Sequence, residues 1–596
     1  MEYPTLYVKK NTRQMTDAFQ GYNHNLRIDE SEFFDMKNMT SDFYPVLSPR
    51  KPRGLYETAF PLQSPNGLIA KDALCYVDGS DFFMNQYRFE MGLSDGPKQL
   101  VSMGANVIIL PDKKYFNTQK MSHGDIEAHT TTSGPVVFEL CTVDGAKYEN
   151  AAIQAEAPQN PSNQALWIDI STTPHTLKQY ASSSAAWVAI ATTYVKITSP
   201  GSGIGKTFNQ YDGVTISGIT ASGMTDMNSS TTIWSADGDS IVVTGIVDMV
   251  ATQSTPICIS RWMPNFDFLT ESNNRLWGCF YGFPYKGKRY NTEKGITEDV
   301  YGEEAVNEIY ACKLGDFQNW NSFMGLATDS YAVSVGTDGQ FTGAITHLGY
   351  PCFFKENVLH KVYGDYPANY RVQDTACRGV QKGCERSLAI VNEVLFYKAR
   401  SGVCAYDGSL PGEVSYQFGN ELYSQAVGGS HRNKYYICMT DAKGEYNLFV
   451  YDTAKGMWHK EDNLKAECFC TCDDELYVIA DGKILAMHGS GEKHEEAVDW
   501  MLQTGEIGLS SPDMKYISRM NVRMSMAIGA KAEFYIQYDL SDEWEHLYTL
   551  TGTSLRSFSV PIRPKRCDHM KLKIVGNGET KIYSITKTIE QGSELS

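Results

Sequence analysis

Short β-type runs that end in a Tyr/Asp/Gly turn recur at a nearly constant interval between residues 341 and 458. The tyrosines that close three of these runs, Tyr363, Tyr406 and Tyr451, lie 43 and 45 residues apart. Four strands of about 5–6 residues with their turns need about that much chain, so each interval fits one blade of a β-propeller. Because such a sheet cannot bury both faces alone, the repeat predicts blades stacked around an axis. A set of unrelated hairpins in a large sandwich is the alternative.

The rest of the chain departs from this interval in three places. A chain of 596 residues is long enough for several domains, since single cores stop growing near about 250–300 residues. Between residues 122 and 255 the repeat is lost in a region rich in Ser, Thr, Ala and Gly, and after residue 495 strict apolar/polar alternation predicts an antiparallel sandwich. We therefore predict an all-β protein with an extended N-terminal arm (1–60), a first propeller blade (61–121), an inserted β-sandwich (122–260), the remaining blades of about six in total (261–494) and a C-terminal antiparallel β-sandwich (495–596).

The arm carries two local signals. Residues 29–32, Asp-Glu-Ser-Glu, have the spacing of a capping box ahead of apolar residues and predict a short helix. Pro45, Pro49 and Pro52 then impose an extended path. An arm with so little apolar area should be ordered by contact with the propeller or with other members of an assembly.

The charge balance limits the possible partners. A net charge of −17 disfavours a surface that grips nucleic acid, because phosphate binding requires concentrated Lys and Arg. Three short basic clusters nevertheless occur, and no aromatic stacking platform adjoins them in sequence. We interpret each of them as a solvated turn or a subunit contact: Arg50, Lys51 and Arg53; Lys286, Lys288 and Arg289; Arg563, Lys565 and Arg566.

The cysteines and the N-terminus indicate where the chain is made. The 14 cysteines are scattered singly through strand-like runs, which predicts free thiols in a reducing cytoplasm. The first residues lack a basic start followed by an apolar core, and no run of about 18 apolar residues occurs. We expect a protein that is neither exported by a signal peptide nor membrane-spanning.

Two motifs suggest ligand chemistry at first sight. Residues 200–207, Pro-Gly-Ser-Gly-Ile-Gly-Lys-Thr, resemble a phosphate-binding loop, but Pro200 stands where the motif needs glycine and no helical run follows. Cys468, Cys470 and Cys472 alternate on one strand face, yet no nearby cysteine or histidine pair completes a tetrahedral metal set. We interpret these cysteines as part of a buried blade face.

The carboxylates of the sequence do not form a catalytic signature. Glycosidases need two carboxylates across a sugar, but the candidates Asp329, Asp338, Asp365 and Asp374 lie near turns, where Asp is expected for backbone reasons. We therefore expect no catalytic, cofactor-binding or metal-binding residue and no enzyme, with a propeller glycoside hydrolase as the weakest alternative.

Three parts of the chain carry a resemblance to a known family. The stretches 341–345, 353–356 and 359–364 (Phe-Thr-Gly-Ala-Ile, Phe-Phe-Lys-Glu and Leu-His-Lys-Val-Tyr-Gly) resemble the propeller proteins of bacteriophage tails, the nozzle or DNA-stabilisation proteins of short-tailed phages and their relatives. Residues 38–50 are similar to the N-terminal segment of that group, and residues 562–566 with 572–578 to its last sandwich. The resemblance skips the insert.

The family implies a structural virion protein. We expect it to be made in the host cytoplasm, incorporated in the tail, and assembled into a homo-oligomeric ring of six copies that closes or lines the DNA channel and takes part in DNA retention and ejection. The implied partners are other tail proteins on the adaptor or portal side, fibres or a needle, and genomic DNA that passes without tight binding. The alternative is a tail or surface protein that binds a host glycan or receptor, with the insert as the glycan-binding part.

Overall fold

The computed structural model describes residues 11–148, 150–248, 250–282, 286–291, 296–301, 306–510, 512–539, 541–552 and 554–591. Nearly all regular elements in these ranges are strands, which confirms the predicted all-β class. The helical elements of the described ranges are one α-helical turn, Ile204–Thr207, and the 3-10 turns Thr225–Met227, Pro367–Asn369, Glu385–Ser387 and Tyr416–Phe418. None of the helices in these ranges is long and apolar enough to cross a membrane.

Seven sheets in the described ranges have the form of propeller blades. In six of them the order of the four strands follows the order of the chain, and in the seventh a strand of the N-terminal segment takes the fourth place. Blade 1 is Pro65–Ala70, Leu74–Asp78, Asp81–Met84 and Tyr87–Glu90; blade 2 is Gln99–Met103, Asn106–Leu110, Lys114–Asn117 and Ser122–Asp125; blade 3 is Phe268–Ser272, Arg275–Phe280, Glu308–Ala311 and Tyr331–Ser334. Blade 4 is Gly343–His347, Tyr350–Lys355, Val358–Tyr363 and Arg371–Ala376; blade 5 is Ala389–Val391, Val394–Lys398, Val403–Tyr406 and Gly412–Glu413; blade 6 is Ser424–His431, Lys434–Thr440, Tyr446–Asp452 and Met457–Lys460. Blade 7 is Ala466–Cys472, Glu475–Ala480, Lys483–Ala486 and, from the N-terminal segment, Gly54–Leu55.

The repeated tyrosines mark equivalent positions. Tyr363, Tyr406 and Tyr451 all lie in the third strand of their blades, so the propeller prediction is confirmed at the level of the repeat. The count of about six blades is not confirmed, since the described residues form seven such sheets. The predicted first blade, 61–121, contains most of two sheets, because the very short turns of blades 1 and 2 fit four strands into far less chain than the 43–45-residue interval.

The chain divides into two compact units, 1–98 with 354–359 and 375–596, and 99–353 with 360–374. In the first unit, Tyr436 and Val450 of blade 6 share a core with Leu476 and Val478 of blade 7. Blade 7 also packs against blade 1 around a core of six fully buried side chains: Leu68, Leu74, Tyr76, Phe83, Ile479 and Ile484. The last blade therefore contacts the first.

The second unit repeats this packing between its own blades. Met103 and Ile108 of blade 2 share a core with Leu269 and Leu276 of blade 3 and with Trp320. A further core joins blade 3 to residues of blade 4 through Trp277, Ile309, Phe353 and Val362, among others. A hairpin of Lys286–Asn291 and Ile296–Tyr301 extends from blade 3.

The insert in the second unit contains an eight-stranded sheet and a four-stranded sheet. The larger sheet has the order Ala128–Thr131, Cys258–Arg261, Gly213–Ser217, Ser230–Asp237, Ser240–Thr244, Tyr194–Thr198, Val136–Cys141 and Ala251–Gln253; the smaller has the order Ala152–Gln154, Leu166–Asp169, Thr176–Ala181 and Ala186–Ala189. The two halves of the larger sheet meet at a β-bulge between Ile233 and Ser235. Together they enclose one apolar core, which includes Phe138, Ile197 and Ile216. The strand Ser122–Asp125, at the predicted start of the insert, belongs to blade 2.

The C-terminal sandwich in the first unit consists of two sheets that share one apolar interior, lined by Phe33, Val522, Leu572 and Ile585 among others. One sheet has the order Asn11–Thr16, Thr580–Gln591, Lys515–Met526 and Arg556–Val560; the other has the order Gly21–Tyr22, Glu32–Lys37, Asp499–Thr504, Met570–Asn577, Lys531–Tyr538 and Glu545–Thr551. Two further N-terminal strands, Met39–Thr40 and Ser48–Pro49, pair with each other, and Lys493–His494 pairs with Gly54–Leu55.

These pairings correct the description of residues 1–60 as an arm separate from the domains, which was expected to lie on the propeller or on other members of an assembly. From residue 11 onward the segment is ordered within its own chain, because three of its strands complete the two sheets of the sandwich. The helix predicted at residues 29–32 is also wrong. Glu32 N donates to Asp29 O (3.0 Å) and Asp29 N to Glu32 Oε2 (2.9 Å), which closes a turn, and a strand follows.

Candidate functional site

A polar pocket of about 410 Å³ lies in the first unit where the N-terminal segment crosses blades 6 and 7. We call it the polar pocket and define it by its lining residues: Ser41, Asp42, Phe43, Lys51, His431, Arg432, Asn433, Lys434, Asp452, Lys455, Asp474 and His488. Its size is within the range of small-molecule sites.

Tight turns at the ends of strands place the charged groups of this pocket. Arg432 adopts a positive φ of 51° in the two-residue turn between the paired residues His431 and Lys434, as a two-residue hairpin requires. Asp452 Oδ1 accepts hydrogen bonds from the N–H groups of Ala454 and Lys455 (both 3.1 Å) in the next turn of blade 6. The blade geometry therefore fixes the backbone of the pocket wall.

The N-terminal segment supplies the opposite wall. Ser41 Oγ donates to Asp452 Oδ2 (2.5 Å), and Lys434 Nζ donates to Asp42 Oδ1 (2.6 Å) and Thr40 Oγ1 (2.9 Å). Burial raises the pKa of Asp42, but the Lys434 ammonium and its hydrogen bond outweigh burial and hold that pKa below its usual value. Asp42 is therefore a carboxylate at neutral pH.

A second pair of charges lies at the rim. Arg432 Nε donates to Asp474 Oδ1 (3.0 Å), and its Nη2 contacts the other carboxylate oxygen. The hydrogen bond from Arg432 lowers the pKa of Asp474. Asp42 and Asp474 are therefore both ionised and held by basic side chains of their own chain.

Two histidines form the inner wall. The rings of His431 and His488 lie 4.1 Å apart, centroid to centroid, and His431 Nε2 is 3.1 Å from the Asp474 carbonyl oxygen. Burial and the neighbouring His431 lower the pKa of His488 to about 4. His488 is therefore neutral at physiological pH, and its buried Nε2 has no hydrogen-bond partner among the described residues. The arrangement suits the binding of a polar ligand.

The first basic cluster has a different role from the predicted one. Arg50 and Arg53 are 8% and 3% exposed and form a buried ion network with Glu461, Asp462 and Glu495. Arg53 Nη2 is 2.8 Å from Glu461 Oε2, Arg53 Nη1 is 2.7 Å from Asp462 Oδ2, and Arg50 Nη1 is 2.6 Å from Glu495 Oε2. This corrects their interpretation as subunit contacts, because their charges are already neutralised within the chain. Lys51, between them, lines the polar pocket.

The other basic clusters are not brought to this pocket. Lys286, Lys288 and Arg289 lie in the hairpin strand Lys286–Asn291, and their side chains lie outside the described part of the structure. Arg563, Lys565 and Arg566 are exposed between two strands of the sandwich, where Lys565 pairs with Glu545 (2.9 Å). Their role as subunit contacts stays a prediction.

The loop at residues 200–207 holds a carboxylate of its own chain. The N–H groups of Gly201 and Gly203 donate to Asp239 (2.8 and 2.7 Å), and these bonds lower the pKa of the Asp239 carboxyl. An acidic side chain thus occupies the place that a phosphate would take, and only one helical turn follows. This agrees with the rejection of a nucleotide site.

The three alternating cysteines lie against a core. Cys468, Cys470 and Cys472 pack on the apolar cluster between blades 7 and 1, and burial raises the pKa of Cys470 above its ordinary range. All 14 cysteines are free. No group of three or more His, Cys, Asp or Glu side chains within the described ranges could hold a metal ion.

The polar pocket was not predicted from the sequence. Its residues come from six separate segments between residues 41 and 488, and no sequence pattern connects them. The crossing of the N-terminal segment creates the site, and the closest sequence signal is the proline-rich extended path of residues 45–52.

Comparisons with known proteins add little to this geometry. No family model matches the chain, and none of the curated proteins matches it. Among solved structures, it is similar to a glycoside hydrolase family 43 arabinoxylan arabinofuranohydrolase from Bacillus subtilis (10% identity, 53% of this chain and 94% of that chain, TM-score 0.18). It is also similar to an acylaminoacyl peptidase from Pyrococcus horikoshii (10% identity, 62% and 56%, TM-score 0.21) and to an engineered family 43 glycoside hydrolase (8% identity, 55% and 97%, TM-score 0.17).

These comparisons contradict the prediction that the chain is not an enzyme. The structures that it resembles include glycoside hydrolases. A fold of this type is therefore compatible with catalysis, and the predicted absence of enzyme activity does not stand. With TM-scores near 0.2, no substrate, catalytic residue or activity is transferred from them to this chain.

Proposed function

We propose that this protein is a structural subunit of a bacteriophage tail that assembles into a ring at the nozzle or adaptor position. The resemblance of residues 38–50, 341–364 and 562–578 to tail propeller proteins motivates the proposal. The sandwich supports it, since strands from both the N-terminal and the C-terminal segments complete the same sheets. A subunit whose end segments are paired in this way is suited to mechanical load.

An exposed apolar patch in the first unit carries the assembly part of the proposal. Leu26, Tyr416 and Leu422 are 87%, 67% and 72% exposed. Asn25 Nδ2 donates to the Tyr416 carbonyl oxygen (2.9 Å), which brings the two segments together, and Tyr416 and Leu422 line one shallow depression. Clustered exposed apolar side chains mark protein interaction sites, and we assign this patch to contact between copies.

Sedimentation and electron microscopy of the purified protein test this proposal. We expect a closed ring of about six copies, and we expect Leu422→Glu to shift it to monomers, because a charge in an apolar interface is costly. Ile528→Glu is the matched control, since Ile528 is even more exposed than Leu422 but lies in a turn of the sandwich. A protein that stays monomeric at all concentrations, or a ring indifferent to Leu422→Glu, would contradict the assignment.

A second candidate function, glycan binding, is favoured by the small sheet of the insert. The ring of the half-buried Trp187 lies 5.4 Å from that of Trp167 and 5.3 Å from that of Tyr180. Lys178 Nζ lies 4.7 Å from the Trp167 ring and 2.8 Å from Asp169 Oδ2. Aromatic faces flanked by polar groups are suited to the apolar faces and hydroxyls of sugars.

A glycan array followed by calorimetry tests this second function. Trp187→Ala should weaken binding of any glycan hit by about tenfold or more. Val188→Ala should not, because Val188 is exposed on the opposite face of the same strand. Incubation of the same glycans with the protein tests hydrolysis, since released reducing ends would reveal an activity. An array without hits would remove this candidate.

A further inference from the structure

The polar pocket contains cationic groups that its own chain does not neutralise. Its lining residues carry four positive side chains, Lys51, Arg432, Lys434 and Lys455, and three negative ones. Arg432 and Lys434 pair with Asp474 and Asp42. Lys51 and Lys455 are exposed and make no ion pair with any described residue, although Lys455 lies 5.9 Å from the Tyr44 ring. The unused charge of the pocket is therefore positive.

The carboxylates of the pocket are engaged by the protein itself. Asp42 accepts from Lys434, and Asp474 accepts from Arg432. Asp452 accepts from Ser41 Oγ and from two backbone N–H groups. Asp42 and Asp474 are offset by the charges of Lys434 and Arg432, whereas Asp452 keeps its charge, so Lys51 and Lys455 leave the lining with one more positive than negative side chain. A local positive surplus is notable in a chain with a net charge of −17.

One of the lining side chains also carries a buried polar atom. His488 lines the pocket, and its Nε2 is buried without a partner among the described residues. A buried unpartnered nitrogen costs free energy unless a ligand or water satisfies it. The imidazole is neutral at physiological pH, so it can offer one hydrogen bond without adding charge.

We propose that the polar pocket binds a small polar ligand through a phosphate or carboxylate group that Lys51 and Lys455 hold, with the body of the ligand against the wall that contains His488. A volume of about 410 Å³ exceeds that of a bare ion and accommodates a ligand the size of a single sugar, given that a water occupies about 30 Å³. A sugar phosphate and an acidic sugar are the two sources of this chemistry. The proposal is independent of the proposed tail function.

Titration calorimetry of the whole protein with four probes tests the proposal: glucose 6-phosphate, glucuronic acid, inorganic phosphate and glucose. We expect one of the two anionic sugars to bind with a Kd tighter than about 1 mM, inorganic phosphate to bind more weakly, and glucose not to bind. The stronger of the two sugars identifies phosphate or carboxylate as the recognised group. Binding should weaken as salt is raised, because exposed lysine charges are screened.

The double variant Lys51→Ala/Lys455→Ala should weaken that binding by about tenfold or more. Its melting temperature without ligand should be unchanged, since both side chains are exposed. Lys443→Ala is the control, because Lys443 is an exposed turn lysine outside the pocket. Failure of both anionic sugars to bind, equal binding by glucose, or unchanged affinity in the double variant would overturn the proposal.

Discussion

The guanidinium groups of Arg50 and Arg53 hold the N-terminal segment to the chain that follows blade 6. Arg53 contacts Glu461 and Asp462, while Arg50 adds Asp462 and Glu495. The carboxylates respond to these cations: burial raises the pKa of Asp462, but Arg53 and Arg50 outweigh it and lower that pKa overall. The network is stable only when its members are all present, because a buried charge without a partner is costly.

Removal of one cation should therefore be severe. We expect Arg53→Ala to lower the free energy of unfolding by about 3–5 kcal/mol, because it leaves Glu461 and Asp462 buried without their main partner. Urea denaturation of the wild type and the variant measures this difference. Arg432→Ala is the control: it removes an exposed ion pair with Asp474, which solvent screens. Equal losses of unfolding free energy in the two variants would show that the buried network stabilises the protein no more than the exposed ion pair does.

A buried histidine predicts how stability depends on pH. His459 is 2% exposed, and burial together with the Lys434 ammonium lowers its pKa from 6.5 to about 3, although Asp452 and Asp42 act in the opposite sense. Between these values the unfolded chain binds a proton that the folded protein does not. The contribution of His459 to the free energy of unfolding is therefore complete above pH 6.5. It is lost as the pH falls toward 3, at about 1.4 kcal/mol per pH unit.

Replacement of this histidine should reduce that loss. We expect His459→Gln to flatten the fall in the free energy of unfolding between pH 6.5 and pH 4, measured by urea denaturation at each pH. His123→Gln, at an exposed position in blade 2, should leave the slope as in the wild type. If both variants keep the wild-type slope, another group causes the acid sensitivity.

At the scale of elements, the sequence predicted repeats better than boundaries. The tyrosine interval identified the third strands of blades 4, 5 and 6, because equivalent strands need equivalent turns. The false helix near residue 32 has a physical cause. A β-bulge between Phe33 and Asp35 buries both Phe33 and Met36, which gives a strand the three-residue apolar spacing of a helix.

The polar pocket was beyond the reach of such patterns. Asp42 and Lys434 are almost four hundred residues apart, and no periodicity connects them. Their meeting depends on the Ser41–Asp452 hydrogen bond and on the Arg50/Arg53 network nearby. Long-range contacts of this kind arise from tertiary packing, and local sequence propensities do not predict them.

The insert is anchored to blade 3 of its unit by a buried polar group. Arg261 Nη1 lies 2.5 Å from Asp212 Oδ2, Asn319 Nδ2 donates to Asp212 Oδ1 (3.1 Å), and Asn319 Oδ1 accepts from Gly213 N (2.7 Å). Removal of the insert therefore takes away the partners of Arg261 and Asn319. The first and last strands of the insert pair at Thr131 and Cys258, so a short Gly-Ser turn can join them.

We expect deletion of residues 132–257 with such a turn to give a folded but destabilised protein, because Arg261 loses its carboxylate partner. Adding Arg261→Met should recover a substantial part of the lost stability, measured as the melting temperature by circular dichroism. Arg261→Met in the full-length chain is the control and should destabilise it, since Asp212 is then left unpaired. A deletion protein that is insoluble with or without the second change would show that the insert belongs to the core of its unit.

At the scale of the whole molecule, net charge determines how strongly the proposed ring would bind DNA. Each chain carries a net charge of −17, and two of the strongest basic side chains, Arg50 and Arg53, are neutralised inside the protein. Each phosphate neutralised by Lys or Arg would add salt-dependent affinity that must be broken at every step of DNA movement. A channel that conducts DNA therefore functions best without such sites.

We expect the assembled protein to bind duplex DNA more weakly than micromolar even at about 50 mM salt, where screening is weak. Filter binding with a long duplex measures this, and a variant with Lys286, Lys288 and Arg289 changed to Ala should behave like the wild type. A second variant, with Arg563, Lys565 and Arg566 changed to Ala, tests the other exposed cluster in the same way. Micromolar or tighter binding by the wild type, lost in either variant, would instead place those side chains on the wall of the channel and assign them to DNA retention.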